Sequence, residues 1–189
     1  MNRFSHGATF LGRTGVAADG RAGVFPVFMT PEDVSVRDGR AYIAATPQVD
    51  VTSGNYLHTK LTNPAGSGNN LFVTLRRFTN TGADILGYLA YANPTATPST
   101  SGTVINRLIG GAAAAATFHY EQNTNATFLG GATGSVEAIP ANGIVAVRNV
   151  LVVIPPGASL GFTVAGDGGP VNGGHVTAVL EFYEETVSP

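Results

Sequence analysis

The 189-residue chain contains neither cysteine nor tryptophan. The first absence excludes disulfides, thiolate metal sites and a cysteine nucleophile. The second removes the ring on which sugar-binding platforms most often stack. Charge is scarce too: Asp, Glu, Lys and Arg make up 12% of the chain, about half the usual share. Thr, Ser, Asn and Gly must therefore form much of the exterior. Such neutral polar surfaces are common on proteins that pack against copies of themselves, and also on secreted β-proteins. Long apolar runs are missing as well. Met1–Phe10 has none, so no signal peptide is expected, and the longest later run, Ile144–Ile154, is interrupted by Arg148 and Asn149. No segment approaches the ~20 apolar residues that span a bilayer, so the expected product is soluble, cytoplasmically made and without a membrane partner.

What is present suits a globular chain: 43% hydrophobic residues in a length that fits one domain with a buried core. Net charge is −2, unevenly spread. Residues 1–107 carry +3 and residues 108–189 carry −5, and five arginines (Arg3, Arg13, Arg21, Arg37, Arg40) lie in the first forty positions. That polarity favours contact between basic and acidic surfaces of neighbouring molecules.

Met1–Val24, rich in Gly, Ala and Arg with little periodicity, reads as an extended arm or loop. Val34–Ile43 reads as a hairpin turning at Asp38-Gly39, a pair that tolerates positive φ. Residues 1–45 are thus expected to be arm and hairpin, and 46–189 a β-domain. Strands are expected at Tyr56–Thr62, Leu71–Asn80, Ile85–Tyr91, Val104–Ile109, Thr117–Glu121, Ala126–Leu129, Gly143–Ile154, Ser159–Val164 and His175–Glu184. Leu71, Val73 and Leu75 should share one face, with Arg76 on the other. In the last strand Val176, Ala178, Leu180 and Phe182 should face the core. Asn93–Gly102 reads as a loop. Some eight to ten short strands and no sustained helical period argue for an all-β sandwich or barrel.

Candidate chemistry is thin. Pro64-Ala-Gly-Ser-Gly-Asn-Asn70 lacks the Gly-Lys-Ser/Thr ending of a phosphate loop and leads into a strand, so no helix N-terminus is aimed at an anion. His6, His58, His119 and His175 show no metal-ligand spacing. Only a symmetry axis could gather one from each subunit, and exposed or hydrogen-bonded histidine is the favoured reading. Glu181, Glu184 and Glu185 cluster near the C-terminus but read as solvated rather than as a glycosidase pair. No Gly-x-Ser-x-Gly elbow occurs. Arg76-Arg77 is the only basic doublet, and neighbours on a strand point to opposite faces, so nucleic acid is not expected as a partner. No catalytic, cofactor-binding or metal site is expected, and no enzyme activity.

The C-terminal half combines an apolar strand, a Pro155-Pro-Gly-Ala-Ser159 turn into Leu160-Gly-Phe-Thr-Val164, a Gly-rich loop and a closing strand His175–Tyr183. In this it resembles jelly-roll modules of the tumour-necrosis-factor or C1q-like kind. Leu57–Glu185 also resembles small structural proteins of tailed bacteriophages, through Lys60-Leu-Thr-Asn-Pro-Ala-Gly-Ser-Gly68 before a strand and Phe182-Tyr-Glu-Glu185 at the end. The resemblance implies a jelly-roll β-sandwich with an extended N-terminal arm, in a homotrimeric virion component on the capsid exterior. Its partners would be itself and the major capsid or another virion protein. Arg3, Arg13 and Arg21 of the arm would touch the capsid or partner. Tyr88, Tyr91, Phe118, Phe182 and Tyr183 would line the subunit interface. A decoration (cement) protein is the first expectation. A host-recognition spike or fibre reading surface glycan or protein through Asn93–Gly102 and Gly166–Gly174 is the second, and a secreted carbohydrate-binding module the third.

Overall fold

The computed structural model describes residues 11–16, 22–27, 30–51, 54–166 and 174–187. In chain order the elements are β1 (Leu11–Val16), β2 (Ala22–Val27), α1 (Pro31–Arg37), β3 (Ala41–Ala45), β4 (Val49–Val51), β5 (Tyr56–Thr62), β6 (Asn69–Asn80) and β7 (Leu86–Ala92). They continue with β8 (Thr100–Ser101), β9 (Thr103–Asn106), β10 (Thr117–Asn123), β11 (Ala132–Ile139), β12 (Gly143–Ile154), β13 (Ser159–Gly166) and β14 (Gly174–Thr186). The chain is an all-β sandwich of two antiparallel sheets. Sheet I runs β11-β7-β13-β5-β10-β8, and sheet II runs β12-β6-β14-β3-β9 with β4 also on β14.

The pairings are nested: β3 with β14, β5 with β13, β6 with β12, β7 with β11. Successive pairs fall alternately in sheet II and sheet I, so one long hairpin is rolled back and forth across the sandwich. This is the jelly-roll path. The segment Asn93–Gly131 is inserted at the hairpin's far end, between β7 and β11. Its strands widen both sheets on the opposite side: β10 and β8 extend sheet I beyond β5, and β9 extends sheet II beyond β3.

The core lies between the sheets. Alternation in β14 puts Val176, Ala178, Leu180 and Phe182 into it, as expected, against Leu57, Leu61, Phe162 and Val164 of sheet I. Phe78 stacks on Tyr88 at 4.4 Å, and Phe162 meets both edge-on. Burying one such ring contributes ~1.5–3 kcal/mol before packing is counted. In β6 the expected alternation breaks. A register shift between Glu181 and Phe182 opposes Leu75 and Val73, so Leu75, though fully buried, lies outside the core cluster. Arg76 turns inward instead, its guanidinium 5.6 Å from the Tyr88 ring centre.

Three expectations at the N-terminal end are corrected. Leu11–Val16 and Ala22–Val27, expected within or beside an extended arm or loop, are antiparallel strands: β1 pairs with β2 from Leu11↔Val27 to Val16↔Ala22. Val34–Ile43 is not a hairpin. Thr30 caps α1 in a reciprocal box with Asp33, Pro31 opens it, and Asp38 closes it with Gly39 at φ +69°. Capping, N-terminal proline and a left-handed glycine outweigh the apparent alternation. Finally, Ala41–Ala45, read as part of the arm and hairpin, is an interior strand of sheet II between β14 and β9.

Candidate functional site

The insertion is attached largely by polar side chains. Lys60 on β5 is buried, and its Nζ donates to Pro94 O (2.9 Å), Ala96 O (3.0 Å) and Thr97 Oγ1 (2.9 Å). All three ammonium protons are used without a counter-carboxylate, and burial pushes its pKa down. Glu184 on β14, expected to be solvated, is buried. One carboxylate oxygen accepts from the Ala115 and Ala116 amides (2.9 and 3.2 Å), the other from Asn69 Nδ2 (3.3 Å). The alanine run 112–116 therefore brings amides to Glu184, while the Ala116 side chain enters the core and Ala114 packs against it. Asn106 Nδ2 ties the segment to Gly39 O and Ala112 O, both at 2.7 Å.

His58 is the fourth fastener. It is fully buried, stacked near Tyr56 and Phe128. Its Nε2 lies 3.1 Å from Asn123 Oδ1 and its Nδ1 2.9 Å from Thr163 Oγ1. Asn123 Nδ2 donates to Glu121 and Asn123 Oδ1 accepts from the Asn125 amide, which orients the amide. The proton therefore sits on Nε2, and Thr163 donates to Nδ1. Desolvation lowers the imidazole pKa, so the ring is neutral. On the other side of the sandwich, Glu137 of β11 accepts from Arg76 (2.8 Å) and from the Tyr88 hydroxyl. Burial first, then that carboxylate, drives the phenol pKa upward.

The insertion also exposes apolar surface. Ile109 is 99% exposed at a turn closed by Gly111 N to Leu108 O, with Leu108 at 41% and Ile105 of β9 at 59%. Beside them Arg107 binds Glu32 of α1 and lies 3.5 Å from Glu181. Across sheet II, its opposite edge β12 exposes Ile144 (60%) and Val153 (44%). These two edges are the strongest candidate interaction surfaces among the described residues. Arg107-Leu-Ile-Gly-Gly111 held the clue in sequence: two large apolar residues against glycines, where alternation has stopped.

The five aromatic residues expected at a subunit interface are a correction. Tyr88, Tyr91, Phe118, Phe182 and Tyr183 are all buried within the single chain. Tyr88, Phe118 and Phe182 belong to the core cluster, and Tyr183 stacks on Phe72 at 4.9 Å. Their contacts are already made, so they are not available to a second subunit. Arg3 and Arg21 lie outside the described residues, as does most of Gly166–Gly174. Arg13 falls in β1 opposite Phe25, its side chain outside the described ones. Asn93–Gly102 includes the short β8, and Ala126–Leu129 is a turn.

Among the described residues no group of three His, Asp or Glu side chains is placed to hold a metal, and no helix is long and apolar enough to cross a membrane. No protein-family model and no curated protein matches the chain.

Proposed function

We propose that this chain is a non-enzymatic virion structural protein, a capsid decoration protein that acts as a homotrimer on the capsid exterior and bridges major capsid subunits. The observation that carries the reading is the separation of two parts. The sandwich fills its own core, while β1 and β2 pair only with one another among the described strands. A strand pair outside the sandwich sheets offers two edges to a neighbouring protein, within a sequence segment that carries arginines, and ordering such a segment is best offset by contacts made on assembly. Low charge and exposed apolar edges on the sandwich support repeated packing against like copies.

Removal of residues 1–29 tests this. The truncated protein is expected to keep the far-UV spectrum, the melting transition and a native mass equal to three of its own shortened chains, and to lose co-sedimentation with capsids. Retained capsid binding would overturn the attachment role. A host-recognition spike is the second reading, favoured by the elaborated insertion. It predicts that replacing Asn93–Ser99 abolishes adsorption to cells while capsid binding is unchanged.

A further inference from the structure

The outer face of sheet II has a different character at its two edges. One lateral row runs Ile105–Ile43–Glu181–Leu75–Arg148 from β9 to β12. The next begins at Arg107, whose amide donates to Ala41 O, and runs through Tyr183 and Phe72 to Val153. Each row therefore starts on one edge strand and ends on the other among the described strands. At the β9 edge the apolar group is Ile105, Leu108 and Ile109, and acid exceeds base, because Glu32 and Glu181 share Arg107. At the β12 edge the apolar group is Ile144 and Val153. The exposed cation there, Arg148, has no ion-pair partner among the described residues.

The two edges carry complementary groups: apolar side chains on both, a surplus of carboxylate beside the β9 edge and an unpaired guanidinium on the β12 edge. They are opposite ends of one sheet, so no molecule can bring its own edges together. We propose that the β9 edge, with the Leu108-Ile109 tip, docks on the β12 edge of a second copy of this chain, head to tail. The contact is heterologous: every copy offers both halves, and the assembly is a closed ring if the rotation between copies closes. The apolar residues supply the buried area, and the Arg148–carboxylate pairing sets register and partner choice. This names the self-contact within the homotrimer reading above and rests on it.

The absence of native cysteine makes a clean test. The full-length double variant Ile109→Cys/Val153→Cys is treated with a short bis-maleimide and run on a denaturing gel, beside each single variant. Covalent multimers up to the native assembly mass are expected from the double variant alone. The singles should stay at 19.3 kDa, because position 109 meets 153 and never another 109. Ile109→Asp should reduce the native mass to one chain without moving the melting transition. Cross-linked dimers from either single variant, or an assembled protein whose double variant does not link, would overturn this contact and leave the assembly reading standing. A native mass of one chain would remove both.

Discussion

The rolled sandwich and the insertion at its far end are built on different physical terms. Between the sheets, cohesion comes from closely packed rings and aliphatic chains: Phe78, Tyr88, Phe162 and Phe182 with Leu57, Leu61 and Leu180. In Asn93–Gly131 large apolar anchors are fewer, with Phe118 and Leu129 the largest fully buried ones, and the segment is bracketed by Lys60, Glu184, Asn106 and His58. Apolar packing is non-directional and tolerates shape-conserving change. A buried ammonium or carboxylate tolerates none, because any partner removed leaves a costly orphan. The sandwich therefore supplies stability, and the insertion has its position specified by a few directional bonds.

That contrast is open to direct attack. The largest effect is expected from Phe162→Ala, which removes a ring touching both Phe78 and Tyr88. A loss of about 3–5 kcal/mol should appear in denaturant unfolding, with sandwich and insertion amides losing protection together. A loss under about 1 kcal/mol would mean that the core is not where stability resides. Glu184→Ala comes next, at about 1–3 kcal/mol for the amides left unsatisfied. Its signature should be local: hydrogen exchange accelerates at Ala115 and Ala116, while Val73 and Leu180 change much less. Equal acceleration in both regions would show one cooperative unit and erase the distinction.

The smallest effect concerns pH. Desolvation holds His58 below its ordinary value of 6.5 in the folded chain. As pH falls through that value, the unfolded state takes up the proton first, so stability is lost; above it, this contribution is complete. The slope for one proton is at most about 1.4 kcal/mol per pH unit. Melting from about pH 8 to about pH 5 should show the fall in the native protein, and His58→Gln should flatten part of it. An unchanged slope in that variant would place the titration elsewhere.

Regular alternation was readable where the sheets are regular. Tyr56–Thr62 and Gly143–Ile154 form strands with those bounds, and the inward face of β14 follows period two. Reading failed where a local device overrides the period. The register shift opposite Leu75 turned Arg76 inward. The shift between Thr133 and Val136 obscured β11, which was not anticipated. The Thr30–Asp33 box made a helix of an apparent strand. The aromatic residues were misplaced for another reason: period two says which side chains share a face, not whether that face meets the second sheet or a second molecule. Lys60 and Asn63 did stand out in the Lys60–Gly68 segment. Both are internal fasteners, with Asn63 donating to Asn69 O and Ile154 O.

The nested pairing also constrains the order of events during synthesis. Arg40 binds the carbonyl of Glu184, 144 residues further on, and β14 lies between β3 and β6. Until the ribosome has made β14, both of those strands lack their shared neighbour, and sheet II is two unconnected pieces. Closing loops of that span places folding on the slow, millisecond-to-second side of the range. During that interval the nascent chain holds strand edges open to chaperones and to other nascent copies.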